Sequence, residues 1–288
     1  MPDAFPIQSV SDTARWVAMY RAHESERKDA IFHDPFARTL AGHEGEAILK
    51  AIPRGRQTSW PLVVRTAVFD EVVLRYVREQ GATAVLNLAA GLDARPWRLP
   101  LPESLRWVDV DFAPMLDYKR QAIGDAPPRC RYEARPADLR DPAARRALFA
   151  GFAVTERVLV VAEGLLIYLD EPEVAALARD LASNAAFRWW LIDYVSPPLL
   201  KRLQKTWGQT LGRGNAPLKF APTQGVRYFA PLGWNEREFH STWADAKRLR
   251  RRMPFAWLYD LLIGMAPPHK QRAMQRFAGN VVLERAPV

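Results

Sequence analysis

The sequence predicts an α/β fold: a Rossmann-like, doubly wound, mostly parallel seven-stranded sheet with an N-terminal helical extension and an inserted cap or lid. Three observations predict it. Short apolar runs without polar alternation, such as Ala84-Val85-Leu86 and Val158-Leu159-Val160-Val161, suit strands buried on both faces of a parallel sheet. These runs alternate with helical segments, the cadence of a doubly wound sheet. Small and acidic residues follow the runs directly, at the sheet end where ligands bind in such folds.

Residues 11–40 read as helix, with Ser11, Asp12 and Thr13 as capping side chains and Ala14, Val17, Ala18 and Arg21 on one face. A second helix is expected over 61–80, where Val64, Val68, Val72 and Tyr76 recur every four residues and Gly81 closes the run. The first strand is then 84–88, the second 105–110, a weak third 131–134, the fourth 157–162 and the fifth 189–194. Residues 226–230 and 280–285 read as two more strands, the second suited to antiparallel addition at the sheet edge. Before them, residues 196–224 carry Pro197, Pro198, Gly212, Gly214, Pro217 and Pro222 around a short helical piece, as expected of an inserted lid. The expectation is one domain: a helical segment 1–82, a ligand-binding core 83–195, a lid 196–225 and a C-terminal part 226–288 that completes the sheet.

Composition narrows the classes of function. A chain of 288 residues, 49% hydrophobic and 11% aromatic, is globular rather than disordered. The single cysteine, Cys130, excludes an internal disulfide framework and a cysteine-rich zinc site, so a cytoplasmic protein without a metal is expected. The first ten residues lack the features of a secretory signal, and no apolar run approaches the ~20 residues of a membrane span. The net charge of +9 would suit a polyanion, but the excess is spread along the chain. The exception is Lys247 to Arg252, where Leu249 keeps helical spacing with Ala246 and Met253; a solvated helix face is expected there rather than a nucleic-acid patch.

The chemistry-bearing residues follow the strands. After the first comes Asn87-Leu88-Ala89-Ala90-Gly91-Leu92-Asp93-Ala94-Arg95, a tight turn of small residues that would admit a ligand close to the backbone. Its one glycine is also what any turn would use. Asp111, twenty residues after Gly91, ends the second strand where a carboxylate can accept both hydroxyls of a ribose, and Asp109 points to the same side. Asp138-Leu139 follow the third strand, where an acidic acceptor and an apolar side chain would meet adenine; Asp138, like Asp141, could equally cap the helical run 142–149. Glu163 follows five apolar residues and needs a ligand or a cation to satisfy it. For a ligand that carries a carboxylate, Arg65 is the candidate partner and Arg21 a second, although either also suits a solvated helix face.

Taken in order, Thr13-Ala14 with Arg21, His33-Asp34-Pro35-Phe36-Ala37, Arg65, Val85 to Arg95, Val110-Asp111 with Tyr118-Lys119-Arg120, Asp138-Leu139 and Ala162-Glu163-Gly164-Leu165-Leu166-Ile167-Tyr168-Leu169 resemble the leucine carboxyl methyltransferase family over roughly the first two thirds of the chain. The resemblance implies an S-adenosyl-L-methionine cofactor. Arg65 would hold the methionine carboxylate, the turn Ala89-Ala90-Gly91 would pass beneath the cofactor, and Asp111 would take the ribose. Asp138 and Leu139 would meet adenine, and Glu163 the methionine amino group. The chain departs from the family at Ala89, where glycine is usual; an added methyl would crowd the cofactor if that residue adopts a positive φ.

The expected activity is O-methylation of a small-molecule carboxylate or hydroxyl, as on a polyketide-like metabolite. A carboxylate acceptor is already ionised at neutral pH, so no general base is assigned. A hydroxyl acceptor would call on Tyr168, Tyr194 or His240, and Arg213, Lys219 and Arg227 could draw an acidic acceptor to the cap. Two rivals stand beside this reading. A nucleic-acid methyltransferase would carry an Asn/Asp-Pro-Pro-Tyr/Phe loop after the fourth strand, where Ala162-Glu163-Gly164-Leu165 is found; Val195-Ser196-Pro197-Pro198 follows the fifth. A non-catalytic methyltransferase-like protein is the other, suggested by Ala89. A nicotinamide dehydrogenase lacks support because the turn lacks its glycines. No nucleic-acid or membrane partner is expected, and no feature sets an oligomeric state.

Overall fold

Strands β1 (Ala84–Leu88) and β4 (Val158–Ala162) are buried at every position and form the centre of the sheet. The computed structural model describes residues 10–51, 59–213 and 216–287. Beside β1 lie β2 (Arg106–Asp111) and then β3 (Arg131–Pro136), and beside β4 lies β5 (Phe187–Val195), all parallel. Two antiparallel strands complete seven, in the order β3-β2-β1-β4-β5-β7-β6, with β7 (Ala278–Arg285) between β5 and the edge strand β6 (Trp234–Ser241). Both edge strands carry alternating charged residues, which blunts their unpaired backbone against association.

Helix α3 (Trp60–Arg78) precedes β1 and returns antiparallel to it, so its N-terminal turns, with Arg65, stand at the C-terminal end of the parallel strands. Helices α1 (Val10–Ser25) and α2 (Ala37–Ala51) pack there as well. The short α4 (Arg95–Arg98) follows the first turn, α5 (Ala113–Ile123) follows β2, α6 (Pro142–Ala150) follows β3 and α7 (Glu171–Ala182) follows β4. A capping box between Asp170 and Glu173 starts α7. Helix α8 (Pro197–Arg213) follows β5, and α9 (Thr242–Arg248), α10 (Ala256–Gly264) and α11 (Pro268–Gln275) fill the crossover from β6 to β7.

The structure corrects several sequence expectations. The single helix over 11–40 is two, because the chain turns through His33-Asp34-Pro35 and proline disfavours helix in the residue before it. The side chain of Ser11 lies outside the described residues. Residues 226–230 belong to a 3-10 helix, Gly225–Leu232, and the strand comes after it; Val226, Tyr228 and Phe229 are buried on a helical turn, a pattern that a short apolar run does not separate from a strand. The last strand is antiparallel as expected but lies one place in from the edge. The inserted segment is mostly the 17-residue α8, which Pro197 and Pro198 start rather than break. Trp207 of α8 stacks edge-on against Trp16 of α1, 5.3 Å between centroids, and the peptide nitrogen of Lys219 donates to the carbonyl of Ile167 at 2.7 Å, so the segment is tied over the strand ends. Gly214 lies outside the described residues.

The basic run 247–252 is not a solvated helix face. Helix α9 ends at Arg248, Arg250 takes a φ of 55°, and Arg251 is buried against Glu24, with Nη2 to Oε1 at 2.7 Å. Arg248 pairs with Glu71 and Asp245, and Arg252 with Asp260. Most of this charge is neutralised within the protein.

Candidate functional site

Strand order places the expected residues in one row along the C-terminal end of the sheet. Asp138 follows β3, Asp111 ends β2, Ala89 to Gly91 follow β1, Glu163 follows β4 and Asp193 lies near the end of β5. Neighbouring strands are ~4.8 Å apart, so the row spans ~19 Å, centred on β1, beside the β1–β4 junction where the strand order reverses.

At its centre the turn is held from both sides. The peptide nitrogen of Ala90 donates to the carbonyl of Val110 at 3.0 Å, and that of Gly91 to Asp111 Oδ2 at 2.7 Å. Ala89 has φ 50° and Gly91 φ 48°. A side chain at Gly91 would come within 3.2 Å of the Ala14 methyl, so glycine is needed there for φ and for helix approach. Ala89 takes the left-handed conformation with a methyl attached, the condition under which the departure from glycine matters.

On the β2 side, Asp111 accepts hydrogen bonds from the peptide nitrogens of Gly91 and Phe112, both at 2.7 Å, and has no cation within ion-pair distance among the described residues. Burial pushes its carboxyl above the usual range, which the two N–H groups oppose only in part. A desolvated carboxylate with spare lone pairs and no counter-charge suits two ribose hydroxyls. Phe112, beside it, is 44% exposed, and the Arg140 guanidinium lies 6.0 Å from its ring centroid. Asp138 pairs with Arg140 at 2.8 Å on the surface, and this hydrogen bond holds its carboxyl below the usual value. The cap of α6 is Asp141, not Asp138, and Leu139 packs against the core. Asp109, which the sequence could not tell from Asp111, is fully buried and bound to Asn87, Trp107, Lys119 and Tyr132. It holds the strand together.

On the β4 side the row is dense with ion pairs. Glu163 meets Arg65 Nε at 3.0 Å through Oε1 and Arg95 Nη1 at 2.8 Å through Oε2. Burial pushes its carboxyl up, but Arg95 and then Arg65 outweigh that and hold it below the usual range. A cation therefore satisfies Glu163. Arg65 also reaches Asp193 at 3.2 Å, and Asp193 accepts from the peptide nitrogen of Gly164 at 2.6 Å. Arg95 continues to Asp93 and Asp70, and Arg98 to Asp70. Arg21 is buried rather than solvated: it donates to Asp34 at 2.8 Å and to the Leu92 carbonyl at 2.6 Å, bracing the turn from beneath. Among the described residues of this cluster four arginines face five carboxylates, Asp34, Asp70, Asp93, Glu163 and Asp193, which leaves it one negative charge in excess.

Sequence reasoning missed Asp193, Asp93 and Arg95 as site formers. The signal for Asp193 was present, an acid interrupting Leu191-Ile192 in a central strand, the same kind of signal that singled out Glu163. Of the three residues named for a hydroxyl acceptor, Tyr168 lies at the cluster, hydrogen-bonded to Thr13 and beside Arg65 and Asp193; burial pushes its phenol up, away from a base. Tyr194 alternates to the other face of β5, against Phe239. His240 shares a register row with Asn280 and Asp193, but its Nε2 faces Glu238 at 3.0 Å. Lys219 and Arg227 are exposed, and the side chain of Arg213 lies outside the described residues. Arg227 lines a groove of about 580 Å³ with Glu171, Arg179 and Tyr228, which none of Asp111, Asp138 or Glu163 borders.

The sequence profile of the leucine carboxyl methyltransferase family matches residues 14–182. A relative from Parafrankia, provisionally named an S-adenosyl-L-methionine-dependent methyltransferase, is 37% identical over 187 residues, 62% of this chain and 60% of its own length. One from Streptomyces avermitilis with a name of the same kind is 33% identical over 276 residues, 90% of this chain and 91% of its own. Among solved structures, a protein from Thermobifida fusca provisionally named a methyltransferase has a TM-score of 0.60 at 17% identity, covering 98% of this chain and 97% of its own. A DUF574 family protein from Streptomyces avermitilis has a TM-score of 0.59 at 16% identity, covering 94% and 97%. At such identities the likeness is one of fold. No described helix is long and apolar enough to cross a membrane.

Proposed function

This chain belongs to the leucine carboxyl methyltransferase family and its cofactor is S-adenosyl-L-methionine, and on that premise we propose that it methylates the carboxylate of a small molecule. One observation carries the choice of a carboxylate. The ionisable groups at the ends of β4 and β5 are poor general bases: Glu163 and Asp193 are bound to Arg65, and the Tyr168 phenol is kept protonated by burial. An alcohol or phenol would need a base, whereas a carboxylate arrives ionised.

In this reading Asp111 takes the ribose hydroxyls, Ala89 to Gly91 pass under the nucleoside, and Phe112, Asp138 and Leu139 frame the adenine. The single excess negative charge of the arginine–carboxylate cluster, with Glu163 and Asp193 at its edge, suits the amino end of the methionine moiety, and Arg65 would hold its carboxylate. Bound there, S-adenosyl-L-methionine supplies a methyl group already activated on a sulfonium sulfur. The protein's part is then to align the acceptor oxygen with that methyl carbon and to exclude water, a task suited to α8 and the segment around Lys219 that is tied to Ile167. The nucleic-acid alternative loses its main support because the basic run 247–252 is largely ion-paired internally.

The test is methyl transfer from methyl-labelled S-adenosyl-L-methionine to parallel panels of carboxylic acids and phenols. A methyl ester releases its label as methanol in mild alkali, so alkali-labile product is expected. Alkali-stable label, formed only on phenols or alcohols, would overturn the proposal.

A further inference from the structure

Among the described residues ten large apolar side chains stand exposed, and eight of them lie between Phe255 and Met274. Helix α10 holds most of these. At about 100° per residue, Trp257, Leu258, Tyr259, Leu261, Leu262 and Met265 sweep an arc of about 200° around it. The remaining side faces the protein, with Ala256 buried and Asp260 accepting from Trp243 Nε1 at 2.9 Å and pairing with Arg252. A helix apolar over more than half its circumference normally lies within a core or a membrane, and one of nine residues is too short to cross a bilayer. An exposed apolar surface of this extent marks a contact with something else.

The charge around the ridge says what that is. Residues 247–276 contain eight Lys and Arg, of which Lys247, Arg248, Arg251, Arg252 and Arg276 pair with acids of the protein and three do not among the described residues. Arg250, Lys270 and Arg272 are exposed and make no ion pair among the described residues, and Lys247 is 67% exposed along its side chain. A two-fold contact between copies would bring these cations toward their own images with no acid to meet them, and two convex ridges cannot each cover the other's 200° arc. A bilayer interface can surround a ridge and offers phosphates at its rim.

We propose that the α10–α11 hairpin seats this protein on anionic membrane surfaces, with the α10 ridge at the boundary of headgroups and acyl chains and Arg250, Lys270 and Arg272 against lipid phosphates. The hairpin leaves the molecule at the end that carries the candidate site: Tyr259 stacks on Trp243 at 6.2 Å, and Trp243 on Trp60 at the start of α3 at the same distance. Seating therefore turns the strand ends toward the bilayer. It is a surface contact, not a span, and it is independent of the acceptor proposed above.

Cosedimentation of the full chain with phosphatidylcholine vesicles, with and without phosphatidylglycerol, tests it. Pelleting is expected with the anionic vesicles, weakening as salt is raised. Leu261→Asp with Leu262→Asp should abolish it, while each of Arg250→Gln, Lys270→Gln and Arg272→Gln lowers the affinity about fivefold. These side chains are exposed, so thermal melting should be unchanged in every variant. No pelleting with anionic vesicles, or equal pelleting with both kinds, overturns the proposal. So does a dimer, seen by light scattering, that Leu261→Asp dissociates while the parent chain ignores vesicles.

Discussion

The two sides of the sheet's C-terminal end are built in different ways. Toward β4 and β5, Glu163 and Asp193 are met by Arg65 and Arg95, and the pairing runs on through Asp93, Asp70 and Arg98 until nearly every charge has a partner. Toward β2, Asp111 is partly buried, has no cation to pair with among the described residues and has two peptide N–H groups for company. The first side is completed by folding; the second is the one proposed to be completed by a ligand. The same residue type thus carries two burdens, and substitutions on the two sides should separate stability from binding.

The largest effect is expected on the completed side. Arg95 is 2% exposed and meets Asp70, Asp93 and Glu163. Arg95→Met would strand Asp93 and leave Asp70 and Glu163 with one arginine each, Arg98 and Arg65, and should lower stability by about 3–5 kcal/mol in urea denaturation, with the chain losing cofactor binding only as it unfolds. A loss below about 1 kcal/mol would mean that the network is not what holds this side, and the contrast between the two sides would fail.

Next in size is the open side. Asp111→Asn should weaken S-adenosyl-L-methionine binding, read by titration calorimetry, by about 10- to 100-fold, the worth of charge-assisted hydrogen bonds to a ribose. Its melting temperature should hold or rise, because neutralising a desolvated carboxylate removes a penalty from the free protein. The sign with pH follows. The carboxyl of Asp111 in the folded protein is raised above its ordinary 3.8, so ionisation opposes folding and protonation opposes binding. Affinity should therefore begin to fall at a pH higher than an ordinary aspartate would set, while this group's own contribution to stability improves over the same interval. Affinity that is flat down to pH 4 would take Asp111 out of the site.

Legibility from sequence follows the same division. The parallel core could be read because β4 is apolar throughout and β1 at all but Asn87, and Asp111 and Glu163 because an acid at the end of such a run has few structural uses. The pairing of Glu163 with Arg95 could not be read: the two are 68 residues apart and meet only because β1 and β4 are neighbours. Asp109 and Asp111 looked alike, since a period of two puts both on one face; burial at the middle of the strand against its end is what separates them. The helix at 225–232 reads as a strand in sequence because its apolar residues are too few to show a period, and the basic run reads as solvated because its partners, Glu24, Glu71 and Asp260, come from three other segments. Local pattern shows the elements, and what lies between them depends on contacts distant in sequence.

The smallest expected effect lies at the joint between the two sides. Ala89 is left-handed at φ 50°, a conformation that costs an L-residue about 1 kcal/mol, and it stands where the backbone passes between Asp111 and Glu163. Ala89→Gly removes that strain but gives the unfolded chain more freedom, so the net gain in stability should be under about 1 kcal/mol, a shift of a few degrees at most in melting. Binding separates two causes that melting cannot. If the methyl stands against the cofactor, the glycine variant binds S-adenosyl-L-methionine several-fold tighter, which is the outcome expected from a half-buried Cβ on the turn that passes beneath it. Unchanged affinity with raised melting would show the methyl turned away from the ligand, and the turn would then be a structural joint whose strain the rest of the fold absorbs.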